Sequence, residues 1–302
     1  MLLTIIWTHS KEVIVVESTP KSPPTRRAMD VVEALADSSD GHTSTELARK
    51  CGITTSTCAL VLAELERGGW VARYDDRRYG LGSGLFGLVH GLRRQFPLLD
   101  RGREALVDLH ERLGAACSMS KIGDRHLTTV DTVGHATDGE HAVGHRFPID
   151  PPFGLVAMAW RDDVAVANWL QRVTPRLTQT DIDEHRQVLG DIRARGFGAW
   201  RFNEASLSLH DRLVGLLASL PPATSLTHQL STLMTMVTLK SVTRTLETDL
   251  DTAEFVVLPI FGTSGQPEYQ IELHLGRTDG LTLDELDVAL RSAQERLAPG
   301  VA

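Results

Sequence analysis

The sequence predicts an α+β protein of two domains joined by a helix. Three observations lead there: three short helical patterns followed by a hairpin pattern across residues 26–83, a proline boundary at Pro97, and strands interspersed with amphipathic helices beyond it. The length of 302 residues suits about two domains. With 42% hydrophobic and 23% charged residues, the composition is that of a folded globular chain. The formal net charge of −8 excludes a protein that holds a polyanion by bulk charge. It leaves room for a small basic surface on one domain.

Residues 1–25 are expected to form a loose tail, with a stray strand at Glu12–Val16. Pro20, Pro23 and Pro24 interrupt any regular helix there. The apolar run Leu2–Trp7 is too short for a signal-peptide core or a bilayer span, and no longer apolar run follows it. The three cysteines, Cys51, Cys58 and Cys117, make no disulfide framework. A reducing cytoplasm and no membrane contact are therefore the expectation.

Beyond the tail, Met29, Val32 and Leu35, with Val31 and Ala36 beside them, give a first helix its apolar face. Thr43 precedes Glu46 by three positions, the spacing of a capping box, and starts a second helix that Cys51-Gly52 ends. Thr54 caps a third helix from Thr55 to Arg67, with Val61, Leu62 and Leu65 inward and Gly68-Gly69 as its stop. Trp70–Tyr74 and Arg77–Leu81 then flank Asp75-Asp76 as two short strands. Three helices and a hairpin, with a glycine turn before the third helix, describe a winged helix-turn-helix over residues 26–83.

In that motif the third helix lies in the major groove of DNA. The candidate contacts are Thr54, Thr55, Ser56 and Thr57 at its start and Thr43 and Ser44 at the start of the second helix. Arg73, Arg77 and Arg78 on the hairpin and Arg26 and Arg27 at the start of the module complete the set. Residues 26–80 hold eight cationic and nine anionic side chains, and Ile53–Ala63 holds none. Binding must rest on fit and on dimerisation more than on attraction.

Here the chain resembles the IclR family of bacterial transcription regulators. The resemblance is carried by Arg27-Ala28-Met29-Asp30-Val31-Val32, Thr45-Glu46-Leu47-Ala48, Ser56-Thr57, Leu62-Ala63-Glu64-Leu65-Glu66, Gly69-Trp70-Val71 and Tyr79-Gly80-Leu81-Gly82. It implies a DNA-binding winged helix, a linker helix, a GAF-like α/β domain for a small-molecule effector, and a homodimer or homotetramer on a double-stranded operator. One departure stands on the third helix, where family members commonly carry arginine and this chain has Leu60. Leu60 either packs inward, the expected arrangement, or meets a thymine methyl.

Gly82-Ser83-Gly84-Leu85-Phe86-Gly87 spells G-x-G-x-x-G, a dinucleotide-binding pattern. The strand before it belongs to a hairpin, and Glu104 and Asp108 fall inside a helix rather than after a second parallel strand. A loop leading into a linker helix over 84–97, striped by Leu85, Leu88 and Leu92, is the reading adopted.

Residues 98–302 form the second domain. Leu98–Leu113 reads as a helix ending at Gly114. Ala116–Lys121, Arg125–Val133 and Ala142–Phe147 read as strands, and Phe153–Leu170 as one helix. Asp181–Arg195 is a helix stopped by Gly196, and Phe197–Phe202 a strand. Phe255–Phe261 and Tyr269–Leu275 form a hairpin across Gly265, and the Thr282–Glu285 box starts a helix to Leu297. Helices on one side of this sheet are expected. Gly144, Phe147-Pro148, Arg195-Gly196-Phe197, Asn203-Glu204 and Pro259-Ile260-Phe261 resemble the effector half of the same family. From the resemblance and from polarity, Met119, Phe153, Gly154, Trp200, Asn203 and Glu204 are the effector-site candidates. The 55 positions from Glu204 to Pro259 exceed the family's usual spacing and read as an inserted helical hairpin at about 207–250, which either covers the effector pocket or, the expected role, joins subunits.

A rival reading is a metal-dependent cytosolic enzyme built on residues 124–150, where His126, Asp131, His135, His141 and His145 fall. No two of them show the spacing of a helix-borne ligand pair. No G-x-S-x-G or phosphate-loop motif occurs, so no catalytic residue, metal or cofactor is expected. The sparse charge of the helix-turn-helix leads to a measurable expectation. The slope of log affinity against log salt concentration for DNA should correspond to fewer than about ten phosphates per dimer.

Overall fold

A computed structural model describes residues 21–36, 38, 40–134, 143–149, 151, 154–172, 177–200, 255–275 and 281–300. The expected strand at Glu12–Val16, the inserted hairpin at 207–250, and Phe153, Asn203, Glu204, His135 and His141 lie outside the described residues. The chain divides into two compact units, and the division falls between His90 and Gly91.

The first unit starts with helix α1, Pro23–Ala36. Pro23 and Pro24 therefore open a helix instead of preventing one. In the first turn a missing N–H costs nothing and a fixed φ helps. The buried set on α1 is Val31, Ala34 and Leu35, while Met29 is half exposed. The apolar face is thus rotated from the expected Met29–Val32–Leu35 line, because α1 packs on α3 and on the hairpin together. Helix α2, Ser44–Lys50, has the expected capping box, with Glu46 N donating to Thr43 Oγ1 at 3.3 Å and Thr43 N donating to Glu46 Oε2 at 2.7 Å. These bonds hold the Glu46 carboxyl below its ordinary range. The cap is accordingly intact above that range and is lost as pH falls through the lowered value.

Helix α3, Thr55–Arg67, is capped by Thr54 and buries Cys58 and Leu62 against Val31, Leu35, Leu47 and Val71. Leu60 does not pack inward. It is 75% exposed, since the buried side of α3 is already supplied by residues 58, 61, 62 and 65. Strands β1 (His42–Thr43), β2 (Val71–Arg73) and β3 (Arg78–Leu81) make an antiparallel sheet in the order β1-β3-β2. The two-residue β1 is too short to show a periodicity in the sequence.

The first two glycines of the G-x-G-x-x-G pattern serve packing. Gly82 N donates to Trp70 O at 2.7 Å and Gly84 N to Gly69 O at 2.8 Å. A Cβ on Gly82 would stand 2.2 Å from Gly69 O, and one on Gly84 2.7 Å from the same atom. The hairpin exit is thereby clamped against the end of α3. A 3-10 turn at Ser83–Leu85 leads into helix α4, Phe86–Gln95, on which Phe86, Leu88, Val89 and Leu92 are exposed.

In the second unit, strands β4 (Ala116–Ile122), β5 (His126–Val133), β6 (Arg146–Pro148), β7 (Gly198–Trp200), β8 (Phe255–Phe261) and β9 (Pro267–His274) form one antiparallel sheet, ordered β6-β5-β4-β9-β8-β7. Helices α5 (Leu98–Leu113) and α9 (Leu283–Leu297) cover one face, where Leu106, Leu109, Leu286 and Leu290 meet Cys117, Met119, Leu258, Ile271 and Leu273. Helices α6 (Leu155–Met158), α7 (Asp163–Leu170) and α8 (Gln179–Arg195) pack with Ile122, Leu127 and Val257 in a second core.

Successive strand residues point to opposite faces, so these two cores lie on opposite sides of the sheet. Helices therefore cover both faces, where one was expected. The single helix expected over Phe153–Leu170 is also two pieces. Asp162 caps α7 by accepting from Ala165 N at 2.7 Å, and a residue in cap geometry cannot continue the preceding helix. Gly154, at φ +82°, opens α6 against Ile149. Gly196, at φ +88°, ends α8 as its position predicts.

The three motif glycines separate by context. Gly82→Ala should destabilise the first unit by about 1–3 kcal/mol, because backbone must shift to admit the methyl. Gly87→Ala, with nothing within 4 Å of its Cβ position in α4, should stabilise by up to about 1 kcal/mol. Chemical denaturation of the two variants checks both signs.

Candidate functional site

The outward face of α3 is built from its cap upward. Thr54 Oγ1 accepts from Thr57 N at 3.2 Å and lies 2.8 Å from Thr57 Oγ1 and 3.1 Å from Ser56 Oγ. Thr54 and Thr57 are thus committed to the helix start. Thr55 and Ser56 are exposed, as are Ala59, Leu60 and Ala63 farther along. Near the C-terminal end Arg67 is paired to Glu64, and Glu66 is exposed beside them. The exposed face is a strip of hydroxyl, methyl and one branched aliphatic group.

The arginines divide into engaged and available. Arg26 Nε donates to Asp30 Oδ1 at 2.7 Å and its Nη2 to Glu33 Oε2 at 2.8 Å, so it is neutralised on α1. Arg78 Nη1 donates to Gly41 O at 2.8 Å and lies between Glu46 and Asp76 at 3.7 and 3.6 Å. It ties β3 to β1 and α2. Both of these expected DNA contacts are thus engaged within the unit. Arg27 and Arg77 are exposed with no side-chain hydrogen bond or ion pair among the described residues, and Arg77 projects from the hairpin tip at φ +67°. Arg73 is exposed, with its guanidinium 5.8 Å from the Tyr79 ring centre. Thr43 is used in the capping box, and Ser44 is the half-buried first residue of α2. Arg49, at the exposed end of α2, was not singled out from sequence, because its position relative to α3 follows only from the fold.

A second constellation lies in the sheet of the other unit. Ser118 and Ser120 of β4, Thr129 of β5 and Gln270 of β9 are polar and buried. Ser120 stands opposite both Thr129 and Gln270, and Ser118 opposite Glu272. Glu272 and His274 continue the row, 3.1 Å apart. The Gln270 side-chain oxygen is buried with no hydrogen-bond partner among the described residues. This row faces away from α5 and α9, on the side where α6 lies against β8 and β9.

Of the effector candidates, Gly154 is at the start of α6, and Trp200 ends β7 opposite Phe255. Met119 is turned the other way. It is buried beneath α5, with Sδ 2.6 Å from where a Cβ on Gly102 would stand. Its β4 neighbours Ser118 and Ser120 take the polar side, a choice made by strand register, which is invisible to a one-residue reading.

Among the described residues no three His, Cys, Asp or Glu side chains are grouped to hold a metal. His126 faces Arg146 at 3.2 Å, and Asp131 accepts from Arg103 at 2.9 Å. Cys117 Sγ donates to Leu106 O at 3.2 Å, and burial pushes its thiol up to about 12. No helix among the described residues is long and apolar enough to cross a membrane.

Together these features define a two-domain winged-helix protein, with a helix-turn-helix unit and an α/β unit that has a buried polar row. Residues 24–75 match the family model of the IclR helix-turn-helix domain, so the first unit is a domain of that type. No curated protein matches the chain in sequence. Among solved structures, the chain is similar in fold to an IclR transcriptional regulator from Alicyclobacillus acidocaldarius, with 21% identity, 92% of this chain and 97% of that one covered, and a TM-score of 0.52. The IclR of Thermotoga maritima aligns at 16% identity over 90% of this chain and 96% of its own, with a TM-score of 0.55. An IclR homologue from Microbacterium hydrocarbonoxydans, complexed with 4-hydroxybenzoate, aligns at 16% identity over 91% and 97%, also with a TM-score of 0.55.

The thiol environments have a direct readout. Cys58 and Cys117 are buried and Cys51 is only partly so. Burial raises all three thiols above their ordinary value. Iodoacetamide at pH 8 should leave Cys117 unmodified in the folded protein and label it on unfolding, as peptide mass mapping would show.

Proposed function

We propose that this chain is a transcriptional regulator that binds a DNA operator as a homodimer and releases or holds it in response to a small polar effector. The observation that carries the reading is the outward face of α3, exposed and without charge from Thr55 to Ala63, in a domain of the IclR helix-turn-helix type. Thr55 and Ser56 present hydroxyls to base edges or phosphates. Arg77, Arg27 and Arg73 supply backbone contacts on either side.

Two copies are needed because one such face attracts DNA weakly. The exposed stripe Phe86, Leu88, Val89 and Leu92 on α4 offers the self-complementary surface, burying four apolar side chains per protomer against a second copy. The effector site is the row Ser118, Ser120, Thr129, Gln270 and Glu272, with Gly154 at the start of the helix over it. An open acceptor on Gln270 and several hydroxyls suit a ligand that both donates and accepts hydrogen bonds. The 4-hydroxybenzoate bound by the Microbacterium homologue is one small molecule with both kinds of group. Phe153, Asn203 and Glu204 remain candidates for the same site. Such a ligand acts by binding one arrangement of the dimer better than another.

The test is a gel shift on the DNA upstream of the protein's own gene. The triple variant Thr55→Ala, Ser56→Ala, Arg77→Asn alters only exposed groups, and asparagine tolerates the positive φ at residue 77. It should lose at least tenfold in specific affinity, roughly one good base contact, with its melting temperature unchanged. Full retention of affinity would sink the assignment of this face.

A further inference from the structure

We infer that Leu60 reads the C5-methyl group of a thymine, which fixes thymine at one position of each half-site this protein prefers; the inference rests on the DNA-binding role proposed for α3. At 75% exposed, Leu60 is the most exposed of the large hydrophobic side chains among the described residues. A lone surface leucine is ordinary, so its surroundings must carry the argument. The inward side of α3 is supplied by Cys58, Val61, Leu62 and Leu65, which places Ser56, Leu60 and Ala63 on the opposite side at helical spacing. Leu60 is the one branched aliphatic group on that outward strip. Its neighbours Ala59 and Ala63 are small, so the helix can sit deep in a groove with Leu60 projecting beyond them.

No cation or amide shares the strip's centre. The bidentate contacts that arginine, asparagine or glutamine make to guanine and adenine are therefore unavailable there. An aliphatic side chain in the major groove has one favourable partner, the thymine methyl; against the other bases it covers polar edges without replacing their hydrogen bonds. Ser56, one turn earlier on the same line, supplies a hydroxyl that accepts either sense of hydrogen bond from the neighbouring base. The half-site read by α3 is then defined by a methyl at one position and is permissive beside it.

The experiment removes the methyl and nothing else. Duplexes bound by the full-length protein are selected from a randomised pool, and each thymine of the enriched half-site is replaced in turn by uracil. Burying one methyl is worth about fourfold in affinity. Native protein should lose about that factor at one thymine per half-site, and Leu60→Ala should bind the thymine and uracil duplexes equally. Leu60 is solvent-exposed, so the variant should melt with the native protein. Uniform tolerance of uracil by the native protein, or undiminished discrimination in Leu60→Ala, would overturn the inference while leaving DNA binding in place. Failure of the pool to enrich at all would overturn both readings together.

Discussion

The second unit depends on the alternation of side chains along β4 and β9 at the centre of its sheet. Cys117, Met119, Ile271 and Leu273 take one face and Ser118, Ser120, Gln270 and Glu272 the other. The period of two is strict, so a slip of one residue would bury the serines under α5 and turn Met119 toward α6. The apolar row pins the register through α5 and α9. Once pinned, it fixes the polar row on the opposite face, where the buried Gln270 oxygen, unpartnered among the described residues, costs about 1–3 kcal/mol that the packed reverse side offsets.

The first unit solves a different problem, the orientation of a short helix that must keep one side bare. Its three elements of support all close on backbone N–H groups. Thr54 fixes the start of α3, the Thr43–Glu46 box fixes α2 beneath it, and the bonds of Gly82 and Gly84 to Trp70 and Gly69 fix the hairpin against its end. None of these uses a side chain from the outward strip. The strip is therefore free to change without loss of the fold, which lets a scaffold of this kind carry different base preferences.

Local signals made most of this readable in the sequence. Capping boxes at Thr43 and Thr282, helix stops at Gly114 and Gly196, and the turn at Gly265 depend on residues within a few positions of one another, and all stand where their spacing puts them. What was not readable depends on partners distant in the chain. The rotation of α1 needs the position of α3, the two-residue β1 exists only by pairing with Tyr79 and Arg78, and the facing of Met119 needs Gly102. The arginines show the same limit at the site. Composition counts Arg26 and Arg78 as cations for DNA, whereas geometry spends them on Asp30, Glu33 and the carbonyl of Gly41.

The pairing of Arg26 reaches beyond the molecule itself. A chromosome offers about a million to a billion competing sites, and a protein with many unneutralised cations spends most of its time on them. With Arg26 held by two carboxylates, Arg67 by another and Arg78 between two more, part of the unit's positive charge is withheld from indifferent sequence. Internal pairing of this kind lowers the non-specific share of any affinity for DNA and leaves the fit of the α3 face to decide which sequence is held.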